Sequence, residues 1–268
     1  MVLGPTDIII DHHLNRIYSD EIGEHVAHII CEEGQYEFLF NGKPFLLRKG
    51  QAMIVISNTE IKNISMSDDF KTRCIYVSPT FLEVATPKSN YGIIGTLLLF
   101  ENPVMQPDEH FFLRLVKDFT DIEERLSEPH DFLDDIMTCY VQAMFLDFFH
   151  IHAVENQLHS FSEQNATIVG RFISLLQGGE YIKHRELTYY ADKLFVTSKH
   201  LSELCKQISG YSANYWITRF TTIHIRRLLG QRDLSFTEIA DMFEFSSPAY
   251  FNRFVQRNLG ATPSAFRK

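Results

Sequence analysis

Residues 235–267 read SFTEIADMFEFSSPAYFNRFVQRNLGATPSAFR, and this stretch decides how the carboxyl-terminal part of the chain folds. It contains a short apolar-periodic segment, a turn of a few residues, and a longer segment that opens on the pair Ser246-Ser247 and Pro248. A serine before a helix accepts a hydrogen bond from a free backbone N–H, and proline is favoured in the first helical turn. The pattern therefore predicts a helix–turn–helix repeat at about residues 236–258.

A near-copy of this pattern lies earlier in the chain. Residues 191–210, ADKLFVTSKHLSELCKQISG, resemble residues 240–260, ADMFEFSSPAYFNRFVQRNLG. Ala191 and Ala240 align at an offset of 49, and the glycines that close the copies align at an offset of 50. The second copy therefore has one extra residue in or near its turn. This duplication predicts a first helix–turn–helix repeat at about residues 187–210.

The segment between the repeats, WITRFTTIHIRRLL at 216–229, has the pattern of one long helix. At about 1.5 Å per residue, such a helix would hold the repeats apart by a good part of a DNA turn, roughly 34 Å. Successive major grooves on one face of a duplex would then be within reach of a single chain. A purely structural role gives no reason for this repetition.

The second helix of each repeat has an apolar face and a polar face. In the first repeat, Leu201, Leu204 and Ile208 recur at helical spacing and should pack inward. The polar residues left outside, over both repeats, are Lys199, Ser202, Glu203, Lys206, Asn252, Arg253 and Gln256. Such a ridge of hydrogen-bonding groups suits a major groove, although a solvated helix face has the same pattern.

These features together resemble the DNA-binding domain of the AraC-type (AraC/XylS) transcriptional regulators. The residues that carry the resemblance are the stretch 235–267 and the segment ELTYYADKLFVTSKHLSELCKQISGYS at 186–212, which match the second and first repeats of that domain. The chain also stops one residue after the family's terminal aromatic-arginine pair, here Phe266-Arg267. The resemblance covers about 40% of the chain.

The resemblance implies that the second helix of each repeat enters a major groove. The base-facing positions would be Lys199, Ser202, Glu203, Asn252 and Arg253. The positions that reach phosphates would be Lys206 and Gln256, together with the helix caps at Thr197 and Ser247. Arg253 is the strongest candidate, because arginine can bond bidentately to guanine O6 and N7.

Two features depart from the family's pattern. The family often has glycine in each turn, where this chain has Phe195 and Glu244. If those positions need a positive φ, each costs about 1 kcal/mol; the alternative is a turn of a different shape. The ending of the second reading helix is also reordered, as Phe254-Val255-Gln256-Arg257.

The amino-terminal part has a different pattern of apolar residues. Short apolar runs punctuated by turns fill residues 5–85, and Asn41-Gly42 between two such runs predicts a hairpin, because both turn positions need a positive φ. Residues 108–152 switch to helical spacing and predict a helical pair. The part resembles, more weakly, the cupin-like barrel that this family often uses to sense a small molecule or to dimerise.

The predicted fold class is therefore α+β. A small antiparallel barrel with a helical pair would occupy residues 1–160, as a sensor or dimerisation domain. An all-α DNA-binding domain of two helix–turn–helix repeats joined by a long helix would occupy residues 161–268. The polar segment at 159–167 marks the expected boundary.

Charge and composition narrow the functional class. The chain has a net charge of −9, but residues 1–160 carry a balance of −14 and residues 161–268 one of +5. Such asymmetry is typical of a protein in which one part faces a polyanion. No signal peptide or membrane-length apolar run is visible, so a cytoplasmic protein without membrane contact is expected.

A metal-dependent enzyme of the cupin type, fused to a helical domain, is the main alternative. Its ligands would normally include a closely spaced His-x-His and a carboxylate, whereas this chain offers His12-His13 and the pair His25 and His28. Strand residues three apart face opposite sides, so His25 and His28 could not both bind one metal. The four cysteines also lack metal-ligand spacing. We therefore expect no catalytic residue, no metal and no cofactor.

The sequence thus predicts a sequence-specific DNA-binding transcriptional regulator, an activator, and not an enzyme. Double-stranded DNA is the expected partner, and the resemblance implies RNA polymerase as a second. A small-molecule effector would bind the amino-terminal part at residues that the sequence does not identify. The helical pair at 108–152 suits a homodimer interface, although its apolar stripe could instead pack on the barrel.

Overall fold

The computed structural model describes residues 3–4, 6–19, 22, 24–56, 61–87, 95, 98–99, 101–156, 163–231 and 233–267. The chain divides into two compact units, Met1–Phe161 and Ser162–Lys268. Part of the segment 159–167, where the sequence places a boundary, lies outside the described residues.

The amino-terminal unit is built on antiparallel strands. They are β1 (Ile8–Asp11), β2 (Val26–Glu33), β3 (Gln35–Phe40), β4 (Lys43–Arg48), β5 (Ala52–Val55), β6 (Ile61–Met66), β7 (Lys71–Val77) and β8 (Val104–Met105). One sheet has the order β1-β7-β2-β5-β8 and the other the order β4-β3-β6. The predicted α+β class with a small antiparallel β fold is confirmed. Among the described residues the strands form these two sheets and do not close into one barrel.

The predicted hairpin joins β3 to β4. Phe40 pairs with Lys43, so Asn41 and Gly42 form a two-residue turn. Their φ angles are 52° and 79°, as the type I′ geometry of such a turn requires. The local sequence alone therefore sets the register of this pair of strands.

The helices of this unit include the 3-10 helix Leu14–Tyr18, α1 (Pro79–Ala85), α2 (Glu109–Ser127) and α3 (Leu133–Glu155). Side chains of β2 point alternately to two apolar clusters, as strand geometry dictates. Ile29 joins a cluster that includes residues of both sheets, such as Tyr36 and Tyr76. Ile30 joins the other cluster, together with Phe119 of α2 and Phe148 of α3. The predicted helical pair thus packs on one sheet through its buried side chains.

The carboxyl-terminal unit is helical. Its helices are α4 (Glu163–Gln177), α5 (Leu187–Lys193), α6 (Ser198–Ser209), α7 (Ala213–Gly230), α8 (Phe236–Met242) and α9 (Pro248–Leu259). Two 3-10 helices, Glu180–Ile182 and Pro263–Arg267, complete it. In the part of the chain that the structure describes, no helix is both long and apolar enough to cross a membrane.

Local capping explains where these helices start and stop. The hydroxyl of Ser235 accepts a hydrogen bond from the backbone N–H of Glu238, whose carboxylate accepts one from the N–H of Ser235, which makes a capping box before α8. Helices α6 and α9 end at Gly210 and Gly260, which have φ angles of 78° and 75°. Glycine adopts this left-handed conformation without steric cost, so each helix stops there.

Candidate nucleic-acid interface

The two helix–turn–helix repeats, α5–α6 and α8–α9, have turns closed by equivalent backbone hydrogen bonds. In the first turn, the N–H groups of Phe195 and Val196 donate to the carbonyls of Asp192 (3.2 Å) and Ala191 (3.0 Å). In the second turn, each residue number advances by 49, and the donors Glu244 and Phe245 bond to Asp241 (2.9 Å) and Ala240 (2.9 Å). The duplication seen in the sequence is therefore a duplication of backbone geometry.

The extra residue of the second repeat lies between its turn and its reading helix, the name used here for α6 and α9. The cap of α6 is Thr197, whose hydroxyl accepts a hydrogen bond from the N–H of His200 at 3.1 Å. The cap of α9 is Ser247, whose hydroxyl accepts from the N–H of Tyr250 at 3.2 Å. These caps differ by 50 positions whereas the turns differ by 49, so Ser246 is the inserted residue.

The turn positions where the AraC-type pattern often has glycine do adopt a positive φ. It is 55° at Phe195 and 50° at Glu244. A side chain in this region costs about 1 kcal/mol, which each turn carries as strain. The ring of Phe195 offsets none of that cost by burial, because the residue is 94% exposed.

Helix α6 presents the polar ridge that its sequence predicts. Leu201, Leu204, Cys205 and Ile208 are buried. On the opposite side, Lys199, Glu203 and Lys206 are exposed, and Ser202 is half-buried. The ammonium of Lys199 lies 3.9 Å from a carboxylate oxygen of Glu203, one helical turn along. This exposed ion pair contributes little to stability, and the carboxylate lies close enough to offset part of the lysine charge.

Helix α9 shows the same division with different chemistry. Phe251 and Val255 are buried and Phe254 is half-buried. The outward residues Asn252, Arg253 and Gln256 are all exposed. The caps Thr197 (exposed) and Ser247 (half-buried) lie at the starts of the two reading helices, where free backbone N–H groups attract anions.

The helix between the repeats, α7, starts at Ala213, three residues before the predicted segment. Its 18 residues span about 27 Å at 1.5 Å per residue. The buried Trp216 anchors it to the first repeat, because the indole N–H donates to the hydroxyl of Ser209 at 2.7 Å. The predicted long connection is therefore one helix packed against the first repeat.

A partly buried polar contact holds α7 near the second turn. The hydroxyl of Tyr181 lies 3.0 Å from Nδ1 of His224, and the imidazole packs edge-on against Phe243 at 5.1 Å between ring centroids. Desolvation by burial, with a smaller contribution from the charge of Arg227, lowers the pKa of His224 to about 4. The imidazole is therefore neutral at pH 7 and belongs to the packing of the domain.

Sequence reasoning assigned no role to two arginines that bind backbone carbonyls in the second repeat or just before it. The guanidinium of Arg267 donates to the carbonyls of Leu229 (3.3 Å) and Leu234 and lies 4.0 Å from the ring centroid of Phe236. This closes the connection between α7 and α8. Its position in the terminal aromatic-arginine pair was the available signal. The other arginine, Arg185, has no comparable signal in the sequence and is described below.

The histidines considered as metal ligands in the amino-terminal unit have other surroundings. His28 is buried between Phe145 and Phe148, and this desolvation lowers its pKa to about 3. Nε2 of His25 lies 2.7 Å from the carbonyl oxygen of Thr6. Over the described residues, there is no cluster of three or more His, Cys, Asp or Glu side chains that could hold a metal ion.

Comparison with known proteins bears on the same region. Residues 190–268 match the family described as a helix-turn-helix domain. The probable transcription factor PqrA of Proteus vulgaris is 29% identical over 93 residues, which cover 35% of this chain and 74% of PqrA. The transcriptional regulator ExsA of Pseudomonas aeruginosa is 27% identical over 96 residues, which cover 36% of this chain and 34% of ExsA.

Among solved structures, this chain matches that of ToxT from Vibrio cholerae bound to an unsaturated fatty acid. It is 12% identical, with a TM-score of 0.46, over 91% of this chain and 87% of ToxT. The family match, the named relatives and the duplicated helix–turn–helix geometry define a DNA-binding transcriptional regulator. Within that class, residues 190–268 form a helix-turn-helix domain of the AraC type, the type that the sequence motifs predict.

Proposed function

We propose that this regulator recognises a specific duplex sequence with both reading helices of one chain, and that it activates transcription. The observation that carries the proposal is the pair of outward polar ridges on α6 and α9, which stand on equivalent backbones. A helix of this kind fits the major groove, where each base pair presents a distinct set of donors and acceptors. The sequence specificity of the protein would then be the sum of the base contacts that the two helices make.

The second reading helix is the stronger specificity element. Arg253 is exposed and can bond bidentately to guanine, and Asn252 beside it can do the same to adenine. Gln256, one helical turn beyond Asn252, would reach the backbone. The cap at Ser247 exposes N–H groups to a phosphate, which fixes the register of the helix on the duplex.

The first reading helix combines charges of both signs. Lys199 and Ser202 would contact bases, while Lys206 and the cap at Thr197 would contact phosphates. The carboxylate of Glu203 can accept from cytosine N4. It also repels phosphates, so this helix would contribute less to sequence-independent affinity.

For the amino-terminal unit, we propose a role in sensing and dimerisation. Helix α3 buries one side on the sheet, yet the apolar or weakly polar residues on its other side are exposed: Cys139, Ala143, Leu146 and Val154. Their spacing of three, four and eight residues forms a stripe that could pack on the same stripe of a second copy. The homodimer interface would thus lie within or beside residues 108–152.

The remaining elements of the proposal rest on the resemblance to the AraC-type family. They are a small-molecule effector, contact with RNA polymerase, a cytoplasmic location, and the absence of an enzymatic activity, a cofactor or a membrane partner. An effector can be tested separately from DNA binding, because a ligand at 100 times its dissociation constant raises the free energy of unfolding by about 2.7 kcal/mol. A thermal-shift screen of metabolites with the full chain measures this.

The DNA proposal is tested by selecting duplexes from a random pool with the full-length protein. We expect the selected site to bind about 10³-fold or more tightly than a scrambled duplex at the same salt concentration. Arg253→Ala should reduce that ratio. Arg171→Ala, which removes the same charge from an exposed position on α4, serves as the matched control and should leave it unchanged. Equal affinity of the wild-type chain for both duplexes would refute sequence-specific recognition.

A further inference from the structure

Arg185 connects the segment before the first repeat to the turn of the second. It lies between the 3-10 helix Glu180–Ile182 and α5, and its guanidinium donates to the carbonyl of Ile182 at 3.0 Å. The same guanidinium donates to the carbonyls of Phe243 and Glu244, the latter at 3.4 Å. The contact with Phe243 joins residues 58 positions apart in the sequence.

The guanidinium also packs on an aromatic ring that belongs to the second repeat. Its central carbon lies 4.5 Å from the ring centroid of Phe245. Phe245 is buried and packs against Phe251 and Phe254 of α9, at 5.3 and 5.2 Å between centroids. Arg185 therefore touches both the turn backbone and the aromatic group on which the second reading helix rests.

This arrangement uses properties that are specific to arginine. The planar guanidinium offers several N–H donors in a fixed fork and stacks on aromatic faces, whereas a lysine ammonium is a point charge. The carbonyls of Phe243 and Glu244 follow the last turn of α8, where helix carbonyls have no partner within the helix and attract a cation. The contacts of Arg185 with Ile182, with the second turn and with Phe245 are called the bridge below. A lysine at position 185 would keep the charge and lose this bridge.

The bridge is not needed to form the turn itself. The first repeat closes an equivalent turn with the same pair of backbone hydrogen bonds, and its positive-φ residue, Phe195, projects into solvent. Arg185 instead ties the turn of the second repeat to a segment that leads directly into α5 of the first. Its contacts constrain how the two repeats are placed relative to each other.

We propose that Arg185 is a positioning residue that fixes the separation and rotation of the two reading helices. Each reading helix would contact one short stretch of the duplex, here called a box. Arg185 would thereby set the spacing between the two boxes at which the protein binds. The inference rests on the proposed function, since it presumes that both helices read one duplex. A rigid connection penalises every spacing but one, because a misplaced box leaves one reading helix out of its groove. Loss of the bridge relaxes that penalty.

The test is a spacing series measured with the full-length protein. The selected duplex is compared with versions in which one or two base pairs are inserted or deleted between the boxes. The variants are Arg185→Lys and Arg185→Gln. The control is Lys183→Gln, which removes a charge from an exposed residue of the same segment. Thermal midpoints are measured in parallel, and affinities are taken at a temperature at which every variant is folded.

We expect the wild type and Lys183→Gln to lose about tenfold or more in affinity when the spacing changes by one base pair, as for a mismatched site. Both Arg185 variants should bind the duplex of the selected spacing more weakly than the wild type does. Altering the spacing should then reduce the affinity of each variant by at most about a further threefold. A merely structural role would weaken binding to all spacings by one factor.

The outcomes separate the inference from the function on which it rests. If folded Arg185 variants keep the wild-type spacing profile, or shift all spacings equally, the positioning role is refuted while two-helix recognition stands. If the wild-type chain does not distinguish the selected duplex from a scrambled one, sequence-specific recognition is refuted and the positioning role with it. A flattened profile in both Arg185 variants, with an intact profile in Lys183→Gln, supports the inference.

Discussion

The two helix–turn–helix repeats share a backbone and differ in almost everything attached to it. Each turn has the same two hydrogen bonds and one residue with a φ near 50°. The first turn, however, exposes Phe195 to solvent, whereas the carbonyls of the second turn are bound by Arg185. Backbone geometry is therefore set by the repeated pattern, and the surroundings assign each repeat a different task.

The reading helices differ in the same way. Helix α6 carries Lys199 and Lys206 beside the acidic Glu203, while α9 carries Asn252 and Arg253 with no acidic residue in Pro248–Leu259. We therefore expect the second repeat to form the stronger base contacts, and its turn is bound by the distant Arg185. Helix α6 has a net charge of +1 and α9 one of +2, so we expect the two reading helices to respond unequally to equivalent mutations.

The largest difference between the two repeats should be in the DNA affinity that is lost when one outward residue of each reading helix is truncated. Arg253→Ala should cost about 1–3 kcal/mol of binding free energy at the selected site and relax the base preference at one position. Lys199→Ala should cost less, because Glu203 already offsets its charge. Titration against single-base variants of the site measures both. An equal loss from Arg253→Ala on every sequence would contradict base recognition by that residue.

The helix caps should respond alike, because their geometry is the same. Thr197→Ala and Ser247→Ala should each lower the free energy of unfolding by about 1 kcal/mol, since each leaves one N–H without its partner. Ser246→Ala is the matched control, because it removes a neighbouring exposed hydroxyl that does not cap the helix, and we expect a change within about 0.5 kcal/mol. A control effect as large as that of Ser247→Ala would show that the cap is misassigned.

Removing the backbone strain should stabilise the two turns by similar amounts. Phe195→Gly and Glu244→Gly should raise the free energy of unfolding by up to about 1 kcal/mol each, reduced by the greater freedom of glycine in the unfolded chain. Phe195→Ala tests the cause, because it removes the exposed ring and keeps the strained Cβ. Chemical denaturation should show no comparable gain for the alanine variant; an equal gain would attribute the effect to the ring.

The smallest effect should follow from neutralising the acidic residue of α6. Glu203→Gln should raise affinity for a non-cognate duplex by about two- to fivefold at low salt, because one phosphate-repelling charge is lost. The effect should fade as the salt concentration rises. No change at low salt would mean that Glu203 does not approach the duplex backbone.

The sequence predicted the features that depend on residues close together in the chain. The turn at Asn41-Gly42 and the serine cap before α9 follow from local conformational requirements. The positive φ at Phe195 and Glu244 is one of two alternatives that the sequence left open, because glycine is common at those positions of the family. Each of these involves at most a few consecutive residues, so a single sequence contains the necessary information.

Features that depend on distant residues were not predictable in this way. The pairing of Arg185 with Phe243 spans 58 positions, and no periodicity points to it. The division of the strands into two sheets depends on which strand edges pair. The pattern of short apolar runs in the sequence does not specify that pairing. The apolar stripe of α3 could not be divided by spacing alone: Val141 is buried on the sheet, whereas Leu146 is exposed.

The account's central claim is that one chain places two helices in adjacent major grooves, and methylation protection of guanine N7 tests it most directly. With the selected duplex and the full-length protein, we expect two groups of protected guanines whose centres lie about 10 base pairs apart on one face of the helix. A single protected group, or two groups on opposite faces about 5 base pairs out of phase, would contradict the claim.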